Sequence, residues 1–143
     1  MPNQSDRIKF SIKKNAAEVV RLHKRIHETF ALRDVSQEKR EEWQKACEEF
    51  HSKYDELAFP GGCRGVIDRL LEGDSDTMEA VICFLEIRPY FFRSGYMFDA
   101  LLRKAKRAPL SAKQKSRLQI VADNVRTWKA SKRAARDLAR GNQ

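Results

Sequence analysis

The chain has 143 residues, 41% hydrophobic and 34% charged, with six Gly and four Pro, which excludes a disordered or fibrous polymer and suits one folded domain. Nothing approaches the roughly 18 consecutive apolar residues that span a bilayer; the longest such run is Ala80 to Leu85. The net charge of +9 is uneven: residues 100–143 hold 13 Lys and Arg against two Asp and Glu, while 73–99 hold two against five.

The opening residues 1–15 read as a flexible polar arm. "RIKFSIK" alternates like a short strand, but an isolated strand has no partner here. From Ala16 the pattern is helical, with Val19, Leu22, Ile26 and Phe30 on one face. "DVS" breaks it, and Ser36 is placed to cap a second helix with Trp43, Cys47, Phe50, Tyr54 and Leu57 along its apolar stripe. A short loop between two helices predicts an antiparallel hairpin. With its turn near residues 34–35, His23 comes level with Cys47 and His27 with Trp43.

"FPGGCRG" at 59–65 ends that hairpin, and Val66 to Leu71 makes a short helix stopped by Gly73. Asp76 with Glu79 matches a capping box for the next helix, about 77–87, whose apolar character on nearly every side places it centrally. Pro89 suits the first turn of another helix, running to Arg107. On it Phe91, Gly95, Phe98, Leu102 and Ala105 share a stripe, with Gly95 admitting a close neighbour. Ser111 and Gln114 form a second capping box, opening a long final helix with Leu118, Val121, Val125 and Trp128 inward. The fold class is therefore all-α: a compact bundle or short array of five to six helices. One domain covers 16–128, and 129–143 is a basic helical extension or tail. From Val66 to Val125 the short helices, tight turns and "GDSDTMEAVICFLE" resemble a HEAT-type helical repeat. That resemblance implies a surface presented to protein or nucleic acid, and binding rather than chemistry.

Two surfaces stand out. Arg126, Lys129, Arg133, Arg136 and Arg140 follow steps of three and four residues, so one helical face is continuously positive back to Lys115. The preceding helix adds Arg103, Lys104, Lys106 and Arg107 across the Pro109 turn. The second surface is an aromatic platform of Tyr90, Phe92 and Tyr96 beside Arg88 and Arg93; single-strand binders pair stacking rings with cations in this way. Core packing is the alternative for those rings, and Tyr96 burial separates the two.

The remaining chemistry is thin. His23 and His27, with Cys47 and His51, are metal-ligand types at helical spacing, yet the hairpin puts His27 and His51 roughly 12 Å apart along the axis, so no four-ligand site is expected. Cys63, beside Arg64 and ahead of a short helix, is the cysteine placed for a lowered thiol pKa and a redox or catalytic role. The same loop lacks the Gly-Lys-Ser/Thr ending of a phosphate-binding loop. Three cysteines without framework spacing and charges throughout the first thirty residues point to a reducing, cytoplasmic setting. The expectation is a non-enzymatic binding module without cofactor or metal. Its basic C-terminal region contacts an acidic protein, as adaptors and neutralising proteins do. Nucleic acid on the Lys115 to Arg140 face is the alternative, and an enzyme built on Cys63 a remote one.

Overall fold

A computed structural model of the chain describes residues 2–141. Six helices follow one another: α1 (Gln4–Phe30), α2 (Gln37–Ala58), α3 (Val66–Glu72), α4 (Ser75–Ile87), α5 (Ser94–Ala105) and α6 (Ala112–Gly141). Among the described residues there is no strand, and no helix is long and apolar enough to cross a membrane. The all-α expectation holds.

The segment expected as an arm is instead the first three turns of α1. Asn3 caps it, accepting from the Asp6 N–H at 2.8 Å while the Asp6 carboxylate accepts from the Asn3 N–H at 3.4 Å. Ile8, Ile12, Ala16 and Val19 continue one helical stripe, and Ile12 and Val19 are buried. What alternates over seven residues repeats every four over twelve, and burial follows the longer period. Met1, in that segment, lies outside the described residues.

α1 and α2 form the expected antiparallel hairpin, but its register is three residues off the expected one. Phe30 faces Trp43 with ring centroids 5.9 Å apart, and His23 faces Phe50 at 5.6 Å. The linking turn runs over 31–36, longer than "DVS" alone suggested; the register follows the ring contacts between the two helices, not the centre of that turn. Ser36 caps α2 as read, accepting from the Lys39 N–H.

α4 is the central helix, packed by α1, α3, α5 and α6. Val81, Ile82, Cys83, Phe84 and Leu85 are each no more than 2% exposed. Five consecutive buried residues demand neighbours all round, which is the packing of a bundle about one apolar helix. Its N-cap is Asp74, not Asp76; the Asp74 carboxylate accepts from the Thr77 N–H at 3.0 Å. Asp76 and Glu79 are used elsewhere, accepting from Gln4 and Ser5 and thereby docking the start of α1.

Pro89 does not open a helix. Arg88 to Arg93 form a loop, and α5 begins at Ser94. The buried Ser94 hydroxyl accepts from the Phe91 N–H at 3.0 Å, so this serine closes the loop. Gly95 has open space where a side chain would sit, so close helix approach is not its role. The stripe otherwise stands: Phe91, Phe98, Leu102 and Ala105 are buried. Ser111 and Gln114 make the expected reciprocal cap of α6, at 3.0 and 3.1 Å.

Candidate functional site

α6 is pinned to the bundle by its first half. Leu118, Val121 and Val125 are buried, and Arg117 reaches across to α4. Its guanidinium donates to Glu79 at 2.8 Å and to Glu86 at 2.6 Å, and Lys9 of α1 pairs with Glu86 at 3.3 Å. Burial by itself raises the Glu86 carboxyl, but the hydrogen bonds and charges of Arg117 and Lys9 outweigh it, leaving the group below its ordinary range. Arg117 is raised by its hydrogen bond to Glu86. One cation of the basic third is thus absorbed into the fold.

From Arg126 onward every described residue of α6 is exposed. This stretch carries six Lys and Arg against one Asp, and its large apolar side chains are Trp128 and Leu138. Arg126 to Arg140 spans roughly 21 Å at 1.5 Å per residue, with Arg133, Arg136 and Arg140 on one face around Asp137.

A cleft of about 580 Å³ runs between α5 and α6, with Lys106, Lys115, Arg126 and Lys129 on its walls. Its floor is apolar, built from Leu102, Ala105, Leu118 and Val125, and no described carboxylate lines it. Arg126 is tethered from outside by Asp123 at 2.6 Å, a strongly exposed pair of small energetic weight. Four cations expected to bind anions are therefore gathered at one cleft. Arg103, Lys104 and Arg107 stand outside its lining, on the last turn of α5 and just beyond it. A cation there interacts favourably with the helix C-terminus.

On the other side of α6 lies a wider open groove of about 1260 Å³, floored by the Arg88–Arg93 loop. Tyr90 is 91% exposed and Tyr96 79%, with Phe92 and Trp128 partly so. The platform residues Tyr90, Phe92, Arg93 and Tyr96 all line this groove, together with Arg88, Lys24 and Lys129. Phe92 is stacked on His23 at 4.7 Å and 22° between planes, with the Arg93 guanidinium 5.2 Å from its centroid. Burial, then the neighbouring His27, pushes His23 below its ordinary value, disfavouring the charged form of that ring. The Arg88 guanidinium lies 4.6 Å from Phe98 and 5.1 Å from Trp128, and Lys132 lies 4.2 Å from Trp128. Trp128 had been expected inward with Val125; instead it stands at the groove wall, half-exposed and held by cations.

Lys24, Asp99, Trp128 and the two α1 histidines are groove residues that sequence reasoning did not assign to a site. The four-residue steps from His23 to His27 and from Trp128 to Lys132 were the local signals for them. His23 and His51 both abut Phe50, at 5.6 Å each. Among the described residues no group of three or more His, Cys, Asp and Glu is arranged to hold a metal ion. Cys63 departs from expectation: burial, then the charge of Asp55, pushes its thiol up to about 11. The exposed Arg64 does not offset this. A thiol with that pKa is protonated and unreactive at neutral pH.

No family model, no curated protein and no solved structure matches the chain.

Proposed function

We propose that this chain is a non-enzymatic nucleic-acid-binding module whose α6 surface holds phosphates. The observation that carries the reading is the convergence of Lys106, Lys115, Arg126 and Lys129 on one cleft without a lining carboxylate, continued by the exposed cations of distal α6. Lysines are depleted from protein interfaces, whose centres are apolar. Distal α6 has many cations and little apolar surface, which is the composition of a phosphate-binding face. That composition supports nucleic acid over the acidic protein expected from sequence alone. The protein reading keeps one specific support, since exposed Tyr and Trp beside Arg are the residue types of interface hot spots.

Binding to random-sequence oligonucleotide, titrated with salt, tests the reading. If four or five phosphates are neutralised, a log–log slope of about −4 is expected on a duplex and of about −3 on a single strand. Changing Arg126, Lys129, Arg133 and Arg136 together to Glu should weaken binding by about a thousandfold or more without altering the helical circular-dichroism signal. Absence of binding at about 50 mM salt overturns the proposal. So does full binding by the charge-reversed variant.

A further inference from the structure

Arg88 and Arg93 share an uncommon backbone state. Among the described residues they are the two non-glycine positions with positive φ, at 50° and 67°. Arg88 closes α4, its N–H donating to the Phe84 carbonyl at 2.8 Å, and Arg93 precedes α5, its carbonyl accepting from the Met97 N–H at 3.3 Å. Both positions adopt the left-handed conformation, which glycine would take without strain. The chain places arginine at both, and strain of this kind collects where a side chain has a use. Both guanidiniums enter the same groove.

The groove walls suit an unpaired base. The face of Phe92 is already occupied by His23, and Trp128 is held by Arg88 and Lys132. Tyr90 and Tyr96 are the open rings, almost wholly in solvent on either side of the Phe91–Gly95 turn. Lys24, Arg88, Arg93 and Lys129 surround them against the single carboxylate Asp99, so the charge complements an anionic ligand. Lys129 and Val125 line both this groove and the α5–α6 cleft, making the two surfaces neighbours across α6. A single strand whose phosphates follow the α6 cations passes with its bases turned toward Tyr90 and Tyr96. A duplex keeps its bases stacked and offers those rings nothing.

We infer that the Arg88–Arg93 groove is a base-stacking site that makes the chain prefer single-stranded over double-stranded nucleic acid, Tyr90 and Tyr96 each stacking a base. The inference rests on the nucleic-acid reading above and adds the strand state of the ligand.

The test compares a fluorescein-labelled oligothymidylate with a duplex of equal length, by anisotropy at about 50 mM salt. Wild-type protein should bind the single strand about tenfold or more tightly, since base stacking on the rings adds to the phosphate contacts only there. Tyr90→Ala with Tyr96→Ala should abolish that preference and leave duplex binding within about twofold. Both rings are exposed, so folding should persist. Arg88→Gly with Arg93→Gly suits the backbone at both positions and should likewise weaken single-strand binding. Equal affinity for the two strand states, or tyrosine variants that bind oligothymidylate as wild type does, overturns the stacking site while leaving the phosphate reading intact. Binding to neither probe overturns both. Polyglutamate that displaces oligothymidylate as efficiently as unlabelled oligothymidylate, and loses that ability in the tyrosine variant, overturns the inference in favour of an acidic protein.

Discussion

The two halves of α6 belong to one helix and one basic composition, yet they do opposite work. From Ala112 to Val125 the helix buries Leu118, Val121 and Val125 and commits Arg117 to Glu79 and Glu86. From Arg126 to Gly141 every residue is exposed, and six cations stand against Asp137. Charge by itself does not say which half contacts a partner. Arg117, neutralised by the fold, has little field left to offer, whereas the cations that stay in solvent, Lys115 at the cleft and those of the projecting half, are free to exchange their counterions for phosphate.

Breaking the packed half should cost stability, and breaking the projecting half should not. The largest difference is expected for arginine. Arg117→Ala leaves Glu79 and Glu86 partly buried without their shared partner and should lower unfolding free energy by about 3 kcal/mol, read by urea denaturation. Arg133→Ala should change it by less than about 0.5 kcal/mol. Equal effects would dissolve the comparison.

Leucine gives the next contrast. Leu118→Ala should destabilise by about 2 kcal/mol or more through lost burial and the cavity left behind. Leu138→Ala, in an exposed position, should be near neutral.

Acid sharpens the comparison with the smallest effect. The Glu86 carboxyl is held below its ordinary 4.5, so its stabilising contribution is complete above that pH and is lost as pH falls through the lowered folded value. Thermal melts of wild-type protein should drop correspondingly below about pH 4.5. In Arg117→Ala the Glu86 part of that drop should shrink, because the main group depressing the carboxyl is gone. An unchanged acid profile in the variant would remove Arg117 from the account.

Much of this architecture is legible in particular residues. Ser36, Gly73 and the Ser111–Gln114 pair mark helix boundaries by local hydrogen bonding or backbone freedom, which needs no distant partner. Asp74 was harder to place, because Asp76 offers the same chemistry two residues on, and the choice depends on Gln4 and Ser5 approaching from α1. Pro89 misled for a related reason. Its ring fits a helix start, but the left-handed turns at Arg88 and Arg93 reflect how α4 and α5 pack, which no local pattern encodes.

By itself the sequence determined the helical class, the central place of Ala80 to Leu85 and the concentration of cations after residue 100, because periodicity and composition are properties of the chain alone. Tertiary structure decided which rings and charges are free. Phe91 and Phe92 are adjacent and chemically identical, yet one is buried and the other is 41% exposed. Arg117 and Arg126 lie on one helix, yet the first is held by α4 and the second opens onto a cleft. Exposure depends on which neighbours arrive from elsewhere in the chain, and that is a property of the packed molecule.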